Sequence, residues 1–138
     1  MNVRDYPELL RTVEKPGRYT GGELYEIRKD PAAVDLRIAF CFPDTYEIGM
    51  SNLGMRILYE CLNAEEGVAC ERAYAPWGDM DAKMREHGIP LTTSESGDPL
   101  SAFDIVAFTL QYELCYTTAL HMMKLGGIPL LAADRGFL

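Results

Sequence analysis

The hydrophobic pattern of the chain is clearest between residues 36 and 63. Residues 36–42 form an apolar run typical of a buried β-strand, and Pro43 ends it because proline cannot donate to a sheet ladder. Residues 44–52 are polar and predict a loop. Helical spacing follows, and Ser51 or Asn52 is placed to cap the free N–H groups of the first turn. A strand, a loop and a helix in this order are the first half of a βαβ unit.

The helix after this loop is amphipathic. Its polar positions are expected to face solvent, and they are Arg56, Glu60 and Asn63. Its apolar positions are expected to pack on the sheet, and they are Leu53, Ile57, Leu58, Cys61 and Leu62.

Strand-like and helix-like segments alternate through the rest of the chain. The continuous apolar character of residues 103–110 predicts a strand that is covered on both faces. Residues 68–75 predict another strand, and residues 128–133 predict a fourth strand or the approach to one. The polar residues 93–99 predict a surface loop.

Two further helices have recognisable ends. Residues 80–87 are expected to start after an Asp79 cap and to stop at Gly88. Residues 114–125 are expected to stop at the glycine pair 126–127, with Leu114, Thr118, Met122 and Leu125 on one face.

This alternation predicts the α/β class and a small Rossmann-like, doubly wound parallel sheet. Three to four strands in the order 2-1-3-4 are expected within residues 36–138, and residues 1–35 are a lead-in segment that includes a short helix near Pro7. Such sheets usually have about five or six strands. We therefore expect the domain to be shortened on its C-terminal side or to be completed by a partner, and its open edge favours self-association.

The composition of the chain disfavours several classes of function. The 138 residues are 48% hydrophobic and 25% charged, and the net charge of −8 disfavours nucleic acid or an anionic membrane as the main partner. No apolar stretch is long enough to predict a membrane helix, and the N-terminus lacks a signal-peptide core, so a cytoplasmic protein is expected. The four cysteines show no metal-site spacing and are expected to be reduced and buried as small hydrophobic residues.

The candidate chemistry lies in the loops after the first and third strands. Because the carboxyl ends of parallel strands bind ligands, both loops are expected at one edge of the sheet. They carry carboxylates and no phosphate-binding motif, so amide-rich or cationic groups suit this edge better than phosphates. The candidate ligand-binding residues are Asp44, Tyr46, Glu47, Gly49, Ser51, Asn52, Gln111, Tyr112 and Glu113. The alternative is that these side chains cap helices or dock a neighbouring domain. Glu71 and Arg72, in the second strand, predict structural salt bridges.

A family resemblance rests on five blocks that cover most of the chain. They are GRYTGGE (17–23), FPDTYEIGMSNLGMRILYECLN (42–63), ERAYAPWGDM (71–80), IPL (89–91) and FDIVAFTLQYE (103–113). Together they resemble the N-terminal domain of a family of uncharacterised radical S-adenosylmethionine (radical SAM) proteins, in which a cobalamin-binding-like Rossmann domain precedes the radical domain.

The resemblance implies an accessory domain whose parent protein holds a [4Fe–4S] cluster and S-adenosylmethionine in a downstream radical SAM domain. The cysteine triplet for that cluster is missing from this chain, so we expect the chain alone to be inactive and free of iron. Cobalamin domains that ligate cobalt carry D-x-H-x-x-G after the first strand. Here Tyr46 stands at the histidine position between Asp44 and Gly49, which argues against a protein nitrogen on cobalt. The alternative functions are a free-standing small-ligand module and a protein-interaction domain.

Overall fold

A computed structural model describes residues 2–136 and places three parallel strands in one sheet, in the order β2-β1-β3. The expected α/β class and the order 2-1-3 are confirmed. The strands are β1 (Leu36–Phe42), β2 (Val68–Tyr74) and β3 (Ile105–Phe108). The helices are α1 (Pro7–Leu10), α2 (Tyr46–Ser51), α3 (Leu53–Ala64), α4 (Gly78–His87) and α5 (Cys115–Leu125).

The central strand β1 is buried on both faces, and its side chains alternate between two apolar cores. Ile38, Phe40 and Phe42 pack with Met55 and Tyr59 of α3 on one face. On the other face Ala39 and Cys41 belong to a core that includes side chains from α4, α5 and the lead-in, namely Met80, Met84, Met122, Val3 and Leu9. Helices thus cover both sides of the sheet, as the doubly wound prediction requires.

The apolar face predicted for α3 is largely wrong. Leu53, Ile57 and Leu58 are 67%, 52% and 51% exposed, and Cys61 is exposed as well. The buried stripe is instead Met55, Tyr59 and Asn63, at spacings of four residues. A polar residue lies in that stripe because its amide has a structural role. Asn63 Nδ2 donates to the carbonyls of Tyr59 (3.1 Å) and Cys70 (2.9 Å), and its Oδ1 accepts from the Cys70 amide at 3.0 Å.

Side chains and a loop protect the outer edge of β2. Besides Asn63, the Glu95 carboxylate accepts from the Arg72 amide at 2.7 Å, and the Ser94 amide donates to the Arg72 carbonyl at 2.7 Å. Lys29 Nζ donates to the Val68 carbonyl. These bonds leave little of the β2 backbone free for pairing, whereas β3 has no strand on its outer side within the described residues.

Several predicted boundaries change. Residues 44–52 are not a plain loop, because α2 forms within them. Residues 93–99 are not a surface loop, since Thr93 and Glu95 are 1% and 0% exposed. Residues 128–133 contain no strand, and a 3-10 helix begins at Ala132.

Smaller corrections concern the termini of elements. Trp77, not Asp79, is the N-cap residue of α4, although Gly88 ends that helix in the left-handed conformation as expected. The third strand is shorter than predicted and is not covered on both faces, since Ile105 is 45% exposed. In α5 the N-cap residue Leu114 is 73% exposed, and the buried residues are Cys115, Ala119 and Met122.

Among the described residues, no helix has the length and apolar character needed to cross a membrane.

Candidate functional site

The carboxyl ends of β1 and β3 lie next to each other, and their loops meet at one point. Asp44 follows β1; its carbonyl accepts from the Ala75 amide at 2.9 Å and its Oδ1 accepts from the Thr45 amide at 2.7 Å. Tyr112 follows β3, and its hydroxyl lies 3.5 Å from Asp44 Oδ2. The nearby carboxylate of Asp44 raises the pKa of Tyr112. Tyr112 therefore presents a neutral phenol beside the Asp44 carboxylate at this edge of the sheet.

Tyr46 and Glu47, which the sequence assigns to the same site, contact the lead-in segment. The Tyr46 hydroxyl donates to Glu23. The Glu47 carboxylate accepts from Arg18 Nε at 3.0 Å and from Lys15 Nζ at 3.3 Å. The fold thus brings two cations from the lead-in to a segment that has none of its own, and Glu47 is an ion-pair partner at the surface.

Gly49, Ser51 and Asn52 have structural roles in the two helices. A Cβ atom on Gly49 would lie 2.4 Å from the Tyr74 ring, so only glycine lets α2 approach β2 this closely. Ser51 Oγ donates to the carbonyls of Glu47 and Ile48 within α2. Asn52 Oδ1 accepts from the Met55 amide at 2.9 Å and caps α3, as one of the two predicted alternatives has it.

The loop after β3 is largely exposed. Gln111 donates to Thr109 Oγ1, and the Glu113 carbonyl accepts from the Tyr116 amide at 3.2 Å. Large apolar and aromatic side chains alternate with these polar ones, namely Leu110 (46% exposed), Tyr112 (49%), Leu114 (73%) and Tyr116 (56%). We call residues 110–116 together with Asp44 the carboxyl-edge surface. Its mixed polar and aromatic character is typical of protein interfaces.

A buried ionic network lies at the outer edge of β2, and sequence reasoning located only part of it. Arg72 Nε donates to Glu95 Oε1 at 2.7 Å, and both side chains are almost fully buried. Burial raises the pKa of Glu95 against the opposing effect of Arg72. Because both Glu95 oxygens accept N–H bonds from Arg72, the carboxylate form fits this environment. The available signal was a pair of charges, Glu71-Arg72, inside an otherwise apolar strand.

Glu71 is the centre of the second part of the network. Its Oε1 lies 3.3 Å from Arg37 Nη2, and its Oε2 accepts from the hydroxyls of Thr93 and Ser96. Arg37 also pairs with Asp98 at 2.6 Å. The predicted salt bridges of Glu71 and Arg72 are thus confirmed, and residues 93–98 are folded inward to supply their partners.

A cavity of about 40 Å³ lies under the lead-in, beside Arg4, Tyr19, Tyr46 and Tyr74. The Arg4 guanidinium closes one side, where it donates to the carbonyls of Ser94 and Glu95. This volume holds only a few water-sized molecules and is too small for an organic cofactor.

Cobalt ligation by the protein does not fit the residues present. Tyr46 stands where a ligating histidine would be, and burial raises its pKa to about 12, so the phenol is neutral at physiological pH. Its ring packs edge-on against Tyr74, with 5.6 Å between ring centroids. The two histidines lie elsewhere, His87 at the end of α4 and His121 within α5, where it contacts Asp81. Among the described residues no group of three or more His, Cys, Asp or Glu is arranged to hold a metal ion.

Comparison with known proteins gives one family. The sequence profile described as "Radical SAM proteins, N-terminal" matches residues 54–137, more than half of the chain. No curated protein and no solved structure matches the chain significantly. The matched region includes the blocks at 71–80, 89–91 and 103–113. The chain belongs to the family of N-terminal domains of radical SAM proteins.

Proposed function

We propose that this chain is an accessory domain that covers the active site of a linked radical SAM domain, and that the carboxyl-edge surface makes the contact. The observation that carries the proposal is the run of exposed aromatic and apolar side chains at residues 110–116, next to Asp44. Aromatic residues are enriched in interface cores, and polar groups such as Gln111 suit the rim.

Covering an active site serves radical chemistry because it excludes water and stray reactants from a reactive intermediate. The [4Fe–4S] cluster and S-adenosylmethionine would be held by the radical SAM domain and would supply that intermediate. The residues of this chain would contribute surface, hydrogen bonds and exclusion of solvent, and we assign none of them to a chemical step.

We also propose that the domain does not ligate cobalt, and that any cobalamin it binds lacks a protein nitrogen on the metal. Tyr46 supports this, because its hydroxyl donates to Glu23 and its ring packs against Tyr74. A titration of the chain with cobalamin, monitored by the visible spectrum of the cofactor, tests whether the protein ligates cobalt. A histidine-ligated spectrum would overturn this part of the proposal.

The main experiment uses the native polypeptide that carries this chain and a radical SAM domain. The gene should encode C-x-x-x-C-x-x-C after this segment. Leu114→Glu places a charge in the exposed surface and should increase uncoupled cleavage of S-adenosylmethionine, since a poorly covered site admits water. Leu53→Glu, on the exposed face of α3, is the matched control and should leave cleavage unchanged. Equal cleavage in both variants and the unaltered protein would contradict the proposal.

A further inference from the structure

A second site lies away from the carboxyl-edge surface, around the side chain of Met50 at the end of α2. Two strong donors point at its thioether sulfur. The Tyr74 hydroxyl lies 2.9 Å from Met50 Sδ, and Arg72 Nη1 lies 3.5 Å from it. A thioether is only a weak acceptor, so neither donor is well satisfied.

The remaining nitrogen of the same guanidinium has no partner. Arg72 is 6% exposed, and its Nη2 is buried without a hydrogen bond among the described residues. Glu95 binds the guanidinium only through Nε. The two terminal nitrogens, which form a fork that matches a carboxylate, therefore lack an oxygen acceptor. Stacking on the Tyr59 ring, 4.1 Å from the ring centroid, holds the guanidinium plane in position.

Met50, Tyr59 and Arg72 line a cavity of about 150 Å³ between α3 and the lead-in, and the Tyr74 hydroxyl lies next to it, against Met50 Sδ. Arg56 and Glu60 carry opposite charges at its rim, and Leu24 and Tyr25 are about 80% exposed beside it. Balanced rim charges and a net charge of −8 favour a monoanionic group over a phosphate dianion. Methionine is flexible, so its side chain is able to rotate away from the donors at small cost.

We propose that this cavity binds a carboxylate, which displaces Met50 Sδ and accepts from Arg72 Nη1, Arg72 Nη2 and the Tyr74 hydroxyl. The carboxylate belongs either to a small organic acid or to an acidic side chain of a polypeptide. The apolar Leu24 and Tyr25 would contact the carbon atoms that accompany it.

The first test is a nuclear magnetic resonance titration of the chain, whose methionine methyl groups carry ¹³C. The two ligands added are succinate and the blocked peptide Ac-Leu-Glu-Leu-NH₂. The Met50 methyl resonance, assigned by Met50→Leu, should shift and saturate with at least one of them. Tighter binding of the peptide identifies a polypeptide source, and tighter binding of succinate identifies a small acid. The Ac-Leu-Gln-Leu-NH₂ peptide and sodium chloride at equal ionic strength are the controls. No saturable shift up to about 50 mM of either probe, or an equal shift with chloride, would overturn the proposal.

Variants separate binding from folding. Tyr74→Phe removes one donor and should weaken binding about fivefold, whereas Tyr6→Phe removes a hydroxyl from a side chain that does not line this cavity and should not change binding. Arg72→Lys should weaken binding about tenfold or more, but it also disturbs the buried ion pair.

Met50→Glu avoids that difficulty because it places a carboxylate of the chain itself beside the donors. At pH 7 this variant should melt at a higher temperature than Met50→Gln and should no longer respond to succinate or peptide. An equal or lower melting temperature for Met50→Glu would contradict the proposed site without reference to any added ligand.

Discussion

Removing the charge of Glu95 is the sharpest test of the buried network that positions Arg72. Glu95 is 0% exposed and accepts from the Arg72 amide and from Arg72 Nε, both at 2.7 Å. Glu95→Gln keeps the shape but leaves the guanidinium buried without an anionic partner, and it sets an amide N–H group against one of two donors. Breaking a buried pair in this way costs about 3 to 5 kcal/mol, a large fraction of the stability of about 5 to 15 kcal/mol typical of a domain.

The assay is urea unfolding followed by far-ultraviolet circular dichroism, with Glu47→Gln as the matched control. Glu47 also pairs with an arginine, but its side chain is 41% exposed, so the same substitution should cost less than about 1 kcal/mol. The midpoint of Glu95→Gln should fall with an unchanged slope. If the two variants lose equal stability, Glu95 is not the buried partner of Arg72 and the account of residues 93–98 is wrong.

Three further predictions concern stability. Gly49→Ala should destabilise by about 1 to 3 kcal/mol, because its Cβ would lie 2.4 Å from the Tyr74 ring, whereas Gly78→Ala has open space and should be neutral or slightly stabilising in the same urea assay. Asn63→Leu should cost about 2 to 4 kcal/mol, because it leaves the Cys70 amide and carbonyl without their partners; a loss below about 1 kcal/mol would show that Asn63 does not protect the edge of β2. The pKa of Tyr46 is raised to about 12, and that of Tyr59 is raised by burial as well, so the unfolded chain releases these protons first. Their contribution to stability is present below pH of about 10 and is lost as the pH rises toward 12; a melting temperature that stays constant from pH 9 to about 11 would refute it.

The sequence predicted the central strand and the ends of the helices well, because the residues that determine them are neighbours along the chain. The apolar run at residues 36–42 and the stop at Pro43 locate β1, and the glycines after α4 and α5 locate the ends of those helices. Parallel pairing follows from the alternation of strands and helices, and the order 2-1-3 is one that doubly wound sheets commonly use.

The features that sequence reasoning missed depend on distant partners. The burial of Asn63 is explained by the Cys70 backbone, and the burial of Glu95 is explained by Arg72, which lies in another element. No periodicity in α3 or in residues 93–99 carries that information. Once Asn63 faces the sheet, the residues at the other angles of the helix are turned outward, which is why Leu53 and Ile57 are exposed.

The sequence predicted the candidate site only in part. Asp44 and Tyr112 meet as the topology of a parallel sheet predicts. Tyr46 and Glu47 have their partners in the lead-in, namely Glu23, Arg18 and Lys15, and the sequence offers no sign of that packing. The cofactor-binding role assigned to these residues stays a prediction.

Hydrogen exchange at residues 110–116 tests the central claim most directly. The measurement compares the amide exchange of this chain alone with that of the native polypeptide that includes the radical SAM domain. If the carboxyl-edge surface covers the active site, amides around Tyr112 and Leu114 should exchange at least about tenfold more slowly in the longer protein, and the Leu114→Glu variant should lose that protection. Amides on the exposed face of α3 near Ile57 are the internal reference and should exchange equally in both. Equal exchange at residues 110–116 in the two proteins would contradict the account.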